Sequence, residues 1–375
     1  MKKNDIDEYR DLIVSNYNNA LAGKNNCIPF LFPKMQQYYP GHDKGMLLGI
    51  TGSAKSGKTA LVSQLFYYST MDYLYKNPDA FPVHFIWFAL EESKRKFFAR
   101  LDSYLLSKYF GIRVDYNTLM SKTADKRMSE EVFKIWTSEK YKLLVDFFTE
   151  RLTLVKYKKT SEAILNEINK FASTLGRVIK EKGEFDAKRN MWKSTVVDYK
   201  PYRPEAYIFV VIDNLTNLQA TKEEYIKYNA IEHLCNELVS LKDLYNFSFI
   251  LLIQQNIKET GNLKAFMNDN ILSTAAGIRD YPSLEADCTD LWCISNPGIF
   301  PQLRWYPQMD GYDLDAFERN YFRVMQITAS RNGEVSPAVP LFFDGATSTF
   351  EMLPPPNDIN GLQKYYKKIK TFKNN

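Results

Sequence analysis

The chain of 375 residues carries 49 Lys and Arg against 44 Asp and Glu, which gives a formal net charge of +5 and an isoelectric point near 8.7. Its length allows either one large α/β domain with insertions or two domains. The 25 Tyr and 25 Phe exclude an intrinsically disordered chain. The mildly basic charge is compatible with a nucleic-acid partner but does not by itself indicate one.

No feature of the sequence indicates secretion, membrane insertion or a structural metal. The first ten residues are charged and lack the apolar segment of a signal peptide. The longest apolar runs, 206–212 and 247–253, are too short to span a bilayer. We therefore expect a soluble protein of the cytoplasm with reduced thiols. The four cysteines, which lack metal-ligand spacing, are Cys27, Cys235, Cys288 and Cys293.

Residues 4–22 have apolar side chains near helical spacing, which predicts one amphipathic helix at the start of the chain. Two interpretations are open for its apolar face. The helix could pack on its own domain, or it could be an arm that docks on a neighbouring subunit. Residues 27–44 contain three prolines and predict a looping entry to the first strand of the main domain.

The stretch 45–65 carries the most specific signal in the chain. An apolar run over 46–50 predicts a buried strand, and 52–59 fits the pattern G-x-x-x-x-G-K-[ST] before a helical pattern begins. Its glycines allow backbone N–H groups to surround phosphate oxygens at a helix N-terminus. Lys58 would reach the β- and γ-phosphates of ATP, and the Thr59 hydroxyl would ligate Mg²⁺. The predicted nucleotide-binding residues are Gly52, Ser53, Ala54, Lys55, Ser56, Gly57, Lys58 and Thr59.

Apolar strands that alternate with amphipathic helices predict an α/β fold, a P-loop NTPase core whose central, mostly parallel sheet is flanked by helices. Two insertions are predicted: 94–150 is charged and helical, whereas 176–204 is polar and basic without a clear period. We predict a linker helix over 1–26, a main domain over 27–355 and a basic tail with a frayed end over 356–375. The predicted strands cover 46–50, 82–90, 152–157, 207–213, 247–254, 290–295, 323–328, 338–343 and 349–353.

Acidic residues at two strand ends are candidates for the chemistry. Asp213 ends an apolar strand after the P-loop, which is the Walker B position of a Mg²⁺-binding carboxylate. The next residue is Asn214, which cannot act as the base that activates water. Glu91 ends the strand that follows the P-loop helix, and we predict that it is the general base. Its neighbour Glu92 is interpreted as a helix-start acid that the helix dipole favours.

Two further polar residues follow late strands. Gln254 ends the strand over 247–254, where its amide could sense the γ-phosphate or could simply be a polar strand end. Arg331 follows the strand over 323–328 and could be an arginine finger that enters the site of a neighbouring subunit. The alternative for Arg331 is a β-turn residue beside the Asn-Gly pair that follows it.

The order of these motifs resembles that of the RecA-type motor domain of DnaB-like replicative helicases, over roughly residues 27–353. The resemblance implies that Glu91 is the catalytic glutamate, that Gln254 contacts the γ-phosphate and that Arg331 is the finger. It rests on the P-loop together with Phe88–Ser93, Val211–Asp213, Ile253–Asn256, Ser283–Asp290 and Arg331–Gly333.

The resemblance further implies an ATP- and Mg²⁺-dependent ring hexamer that moves along single-stranded DNA during replication, with a primase or a helicase loader as further partners. A bacteriophage or mobile-element origin, and hence a host cytoplasm, would fit. Loops that face the ring centre would contact DNA, and 256–282 offers Lys258, Lys264 and Arg279 for tracking phosphates. The alternative for this stretch is an ordinary surface loop.

The sequence departs from the family pattern in three ways. Ala329 stands where the finger motif has a lysine, the primase-binding domain has no counterpart beyond the linker helix, and the stretch between Glu91 and Asp213 is longer. Two other functions therefore remain open. One is a RecA-like recombinase, which would form filaments on single-stranded DNA. The other is a non-unwinding, ATP-binding loader or scaffold with slow, DNA-independent hydrolysis.

Overall fold

The chain forms two compact units, Met1–Asp43 and Lys44–Asn375. Within the described residues, no helix combines the length and the apolar character that crossing a membrane requires. The division at residues 26 and 355 that the sequence suggests stays a prediction. The computed structural model describes residues 5–157, 159–186, 191–254, 278, 281–300, 311–331 and 335–374.

The first unit consists of a helix followed by a small aromatic cluster. Helix α1 spans Asp5–Leu21, and an antiparallel ladder joins β1 (Ile28–Pro29) to β2 (Gly41–His42). Phe30 is buried and packs edge-to-face on Tyr39, with ring centroids 5.2 Å apart. The apolar side chains of α1 are exposed: Ile6, Tyr9, Leu12, Ile13, Val14, Tyr17 and Leu21.

Most strands of the second unit lie close to the predicted positions, and the two strands within 176–204 were not predicted. Several strands are buried along their whole length, because apolar residues occupy both of their faces, and others are partly exposed. The described residues contain eleven strands in this unit. They are β3 (Leu47–Gly52), β4 (Val83–Ala89), β5 (Leu152–Val155), β6 (Gly176–Asp186), β7 (Met191–Pro201), β8 (Tyr207–Asp213), β9 (Ser248–Gln254), β10 (Asp290–Ser295), β11 (Phe322–Ser330), β12 (Val339–Asp344) and β13 (Thr349–Met352).

Nine of these strands form one sheet in the order β13-β12-β11-β10-β3-β9-β8-β4-β5. In the described part of the chain, the strands from β10 to β5 run parallel, and β11, β12 and β13 add an antiparallel edge. Parallel neighbours require crossover connections, which the intervening helices supply. The predicted α/β class with a mostly parallel central sheet is confirmed.

Helices pack on both faces of this sheet. Val210 and Ile212 of β8 join a core cluster with α8 and α9, whereas Phe209 packs on Phe66 from the opposite face. Phe66 lies in a π-helical turn, Ser63–Tyr68, that connects α2 to α3. The helices are α2 (Lys58–Val62), α3 (Ser69–Lys76), α4 (Lys94–Phe110), α5 (Tyr116–Leu119), α6 (Glu130–Trp136), α7 (Glu139–Thr149), α8 (Ser161–Leu175), α9 (Lys227–Tyr245), α10 (Leu284–Asp287) and α11 (Ile359–Asn374).

The segment 94–150 is helical, as predicted, because local caps define where each helix begins. The residue before α4, α6, α7 and α8 is a Ser or Thr whose side chain accepts a hydrogen bond from a backbone N–H of the first turn. These caps satisfy donors that no intrahelical carbonyl can reach. They are Ser93, Ser129, Ser138 and Thr160.

The segment 176–204, for which the sequence indicates no regular structure, contains the antiparallel hairpin of β6 and β7. The ladder shifts register between Ile179 and Lys180 and again between Lys182 and Phe185. Each shift inserts residues that break the two-residue alternation on which a strand prediction depends. The hairpin was therefore not recognisable from periodicity.

The prediction of a frayed C-terminal end is wrong. Helix α11 packs against the antiparallel edge of the sheet through Leu362 and Ile369, which are buried with Phe322 and Phe342. Arg113 of the α4–α5 connection lies over the Phe372 ring, 3.8 Å from its centroid. The lysines that suggested fraying lie on the exposed side of an amphipathic helix.

Replacing Ile369 with alanine should lower the free energy of unfolding by about 2–5 kcal/mol, because the change leaves a cavity in this cluster. Urea denaturation followed by circular dichroism measures the effect. The exposed Lys370→Ala variant is the matched control and should stay within about 0.5 kcal/mol of the unmodified chain. Equal stability of the two variants would show that α11 contributes no packing.

Candidate nucleotide-binding site

The candidate site lies at the edge where the parallel strands β3, β9, β8 and β4 end. The register places Gly52 beside Gln254 and Ala89 beside Asp213. Because parallel strands share one carboxyl edge, the loops that follow them begin at neighbouring points. The sequence-predicted P-loop, Asp213 and Glu91 are thereby brought together.

The P-loop leaves no room for side chains at its glycines. A Cβ atom on Gly52 would lie 2.3 Å from the Ile294 carbonyl oxygen of β10, and Gly57 has a φ of +105°, which favours glycine. The Ser56 hydroxyl is buried, and no hydrogen-bond partner is found for it among the described residues. A close-packed backbone with an unused donor, followed by a helix N-terminus, fits a phosphate group.

Lys58 lies over this loop and binds its backbone. The Lys58 ammonium donates to the Gly52 carbonyl at 2.9 Å and to the Ser53 carbonyl at 3.0 Å. Burial lowers the pKa of Lys58 to about 8, and the nearby charges of Asp213 and Glu91 oppose this shift. A phosphate group would supply the negative charge that favours the ammonium form, so the arrangement suits an anionic ligand.

Asp213 and Thr59 form the oxygen pair that could hold a cation. Burial raises the pKa of Asp213 to about 7, and hydrogen bonding from Thr59 and the charge of Arg100 oppose the rise. A carboxylate and a hydroxyl beside phosphates are the ligand set that Mg²⁺ takes in P-loop NTPases. The residues therefore fit the predicted Mg²⁺ site.

Asn214 has a role that the sequence did not indicate. Its Nδ2 atom donates to Glu91 Oε2 at 3.0 Å, and its Oδ1 atom accepts from the Thr216 backbone at 2.7 Å. The second bond fixes the orientation of the amide, so that the donor end faces Glu91. An aspartate at position 214 would instead place a like charge against Glu91. Asn214 thus positions the candidate base.

Glu92 points elsewhere and forms an ion pair with Arg100 of α4. Both side chains are largely buried, and the remaining atoms Glu92 Oε1 and Arg100 Nη1 have no hydrogen-bond partner among the described residues. Glu92 is therefore more than a helix-start acid. It balances a guanidinium whose charge also acts on Asp213.

Arg331 lies at the opposite edge of the sheet from the P-loop of its own chain. Ser330 pairs with Asp290, which pairs with Leu48 near the start of β3, whereas the P-loop follows the end of β3. Four residues of strand separate these levels, a distance of about 13 Å. The Arg331 side chain is exposed and donates to the Ala286 carbonyl. The structure does not bring Arg331 to the candidate site of the same chain.

Several predicted site residues lie outside the described part of the chain. The backbone of Gln254 is at the site edge beside Gly52, but its side chain is not described. The candidate DNA-binding residues Lys258, Lys264 and Arg279 also lie outside the described residues. Their roles stay predictions.

Sequence analysis missed Arg323, which donates to the Ser56 carbonyl of the P-loop. The one available signal was a charged residue directly after Phe322 at the start of an apolar strand, and this signal does not specify a partner. The Glu92–Arg100 pair was also not predicted, although Glu92 directly precedes Ser93, the cap of the helix that carries Arg100.

Replacing Glu91 with glutamine should lower the rate of ATP hydrolysis by about 10²–10⁴-fold while ATP binding persists, because the amide cannot accept a proton from water. The matched Glu92→Gln variant should keep its turnover within several-fold and lose stability, because Arg100 loses its charge partner. Steady-state phosphate release measures the turnover of both variants, and equilibrium ATP binding measures their affinity. An inactive Glu92→Gln with an active Glu91→Gln would reverse the assignment.

Comparison with known proteins identifies the fold. Neither a family model nor a curated protein matches the sequence. The ATPase domain of G40P is similar with a TM-score of 0.60 and 14% identity, over 92% of this chain and 98% of that chain. A DnaB-like replicative helicase, whose structure was described with its interactions with primase, is similar with a TM-score of 0.59 and 15% identity. The match covers 90% of this chain and 66% of that chain. The chain therefore shares with these two proteins a RecA-like P-loop NTPase fold with a mostly parallel central sheet.

Proposed function

We propose that this protein is an ATP-driven motor of the DnaB-like type, which hydrolyses ATP between subunits and moves along single-stranded DNA. One observation carries the proposal. The P-loop, Asp213 and Glu91 lie at one edge of the sheet, whereas Arg331 lies at the other. A subunit built this way holds most of one site and offers a guanidinium to another.

Each residue at the P-loop edge has a separate task in the proposed reaction. Lys58 leaves the loop carbonyls to pair with the β- and γ-phosphates, and backbone N–H groups hold their remaining oxygens. Glu91 accepts a proton from the attacking water while Asn214 holds its carboxylate in place. Asp213 and Thr59 would hold Mg²⁺, which neutralises charge on the phosphates when it is bound.

Arg331 completes the site of the next subunit in this proposal. An arginine finger can increase the hydrolysis rate by about 10³–10⁵-fold, because its planar fork stabilises charge in the transition state. Ala329, where the helicase family has a lysine, is partly buried against the core. More of the transition-state charge would therefore rest on Arg331. Slow, DNA-independent hydrolysis is the behaviour that would favour a loader or scaffold instead.

A ring, with a hexamer as the expected form, would place every Arg331 at a neighbour's P-loop. The exposed apolar face of α1 suits an arm that docks on a neighbouring copy of this chain, because an aqueous surface does not favour so much apolar area in one helix. A primase or a loader remains a possible further partner by analogy with the similar helicase. These features belong to the same proposal.

A basic and aromatic cleft of about 640 Å³ at the start of α4 supports a nucleic-acid partner. Among the described residues, Lys94, Arg95 and Lys156 have no ion-pair partner, and Lys156 lies over the ring of Tyr157. Cations that track phosphates beside rings that stack on bases are the chemistry of single-strand binding. The cleft is lined by Ser93, Lys94, Arg95, Tyr116, Lys156 and Tyr157.

Replacing Arg331 with alanine should abolish most turnover while nucleotide affinity falls less, because the guanidinium acts on charge that develops during reaction. Mixing this variant with Lys58→Ala should restore partial activity that neither variant shows alone. Mixed assemblies contain interfaces at which an intact P-loop meets an intact Arg331. Phosphate release from the separate and mixed proteins measures this.

Arg331→Lys is the matched control and should rescue poorly, since an ammonium cannot reproduce the planar fork. Size-exclusion chromatography of differently tagged variants establishes that they co-assemble. Co-assembled mixtures without any recovery of activity would contradict catalysis between subunits.

Replacing both Lys94 and Arg95 with alanine should weaken single-stranded DNA binding by about tenfold or more at moderate salt. The slope of log affinity against log salt should fall by about 0.7 per cation removed. Fluorescence anisotropy with a labelled oligonucleotide measures both values. The double Lys364→Ala, Lys367→Ala variant removes two exposed charges from α11 and should bind normally. Unchanged affinity and slope in the first variant would exclude the cleft as a DNA contact.

A further inference from the structure

Arg323 is a buried cation placed directly behind the P-loop. It lies at the start of β11 with only 4% of its surface exposed. Its Nε atom donates to the Ser56 carbonyl at 2.8 Å, and its Nη1 atom donates to Asn296 Oδ1 at 3.1 Å and to the Asn320 carbonyl at 2.9 Å. The guanidinium also lies over the Phe343 ring, 4.8 Å from its centroid.

No carboxylate neutralises this charge within the described residues. All its hydrogen-bond partners there are neutral oxygens, and burial lowers the pKa of Arg323 to about 10. A buried guanidinium without an acid is unfavourable unless other groups use its charge and its donors. An anionic ligand on the other side of the P-loop would use that charge.

The contact with Ser56 also has a geometric effect. Arg323 holds the Ser56 carbonyl toward β11, away from the space that the loop encloses. Because the peptide is planar, the N–H group of Gly57 points in the opposite direction, toward that space. The adjacent Gly57 has a left-handed φ, which places Lys58 at the helix start. Arg323 therefore holds the Ser56 carbonyl, which belongs to the peptide directly before Gly57.

We propose that Arg323 is a positioning residue that holds the P-loop of its own subunit in the shape that binds phosphate, an inference that rests on the proposed ATPase function. The same strand ends at Ser330, next to Arg331. Arg323 and Arg331 thus lie at opposite ends of β11, about 27 Å apart along the chain. One serves the P-loop of its own subunit, and the other serves the site of a neighbour.

Equilibrium binding of a fluorescent ATP analogue to the full chain tests the positioning role. Arg323→Met keeps the apolar stem and removes the donors, so affinity should fall by about 10–100-fold, the loss expected for a charge-assisted hydrogen bond. Arg323→Lys keeps one cation without the fork and should lose less. In steady state the KM for ATP should rise while kcat at saturating ATP stays within about threefold, which a general loss of folding would not produce.

Arg113→Met is the matched control, because Arg113 is also stacked on a ring and paired, with Asp344 at 2.8 Å, but it does not contact the P-loop. It should lower thermal stability without changing the affinity for the analogue. Unchanged affinity in folded Arg323→Met, or in Arg323→Lys if the first variant does not fold, would overturn the proposal. This measurement requires neither DNA nor assembly, so its outcome is separate from that of the motor function.

Mixing experiments test whether Arg323 acts within its own subunit. At ATP concentrations below the normal KM, Arg323→Met mixed with Lys58→Ala should give no recovery, because both changes damage the same half of the site. Arg323→Met mixed with Arg331→Ala should recover activity, because the intact P-loop of one meets the intact finger of the other. Recovery in the first mixture would assign Arg323 to the neighbouring site and overturn the proposal.

Discussion

The parallel register of β3, β9, β8 and β4 is the constraint on which the candidate site depends. Each strand ends at the same edge, so residues from distant parts of the chain meet there without any long-range motif. Packing on both faces holds this register, because a shift would displace the large buried side chains of each strand from the neighbours against which they pack. The chemistry of the edge is therefore maintained by the packing of the sheet.

Buried charges at this edge are stabilised only in part by the protein. Burial lowers the pKa of Lys58 and raises that of Asp213, so each group is shifted toward its neutral form near neutral pH. Nucleotide phosphates would favour charged Lys58, and Mg²⁺ would favour charged Asp213. The ligand pair that the motif predicts is thus the one that restores both charges. Arg323 and Arg100 add positive potential from behind the site.

In the proposed assembly, the two edges of the sheet would serve the sites of two different subunits. The edge at which β3, β9, β8 and β4 end presents the groups that would bind and hydrolyse the nucleotide, and the opposite edge presents Arg331. β11 connects the edges, with Arg323 at the P-loop and Arg331 at the far end. In the proposed assembly, this strand would connect the site of one subunit directly to the site of the next. β11 pairs with the hairpin of β12 and β13. Gln64, in the π-helical turn that follows α2, forms two hydrogen bonds with the backbone of Phe350 in this hairpin.

The sequence alone determined the strand–loop–helix of the P-loop, most of the strands, and the positions of Asp213 at the end of β8 and of Glu91 just after β4, because periodicity and glycine placement are local properties. It failed at the hairpin of β6 and β7, where bulges break the period, and at α11, whose apolar stripe finds its partners only in the folded chain. The tertiary structure decided which side chains meet. Asn214 reaches Glu91 across 123 positions, and Arg323 reaches Ser56 across 267. The pairing of β11 with β10, and of β10 with β3, separates Arg331 from the P-loop of its own chain. No local pattern in the sequence encodes this pairing.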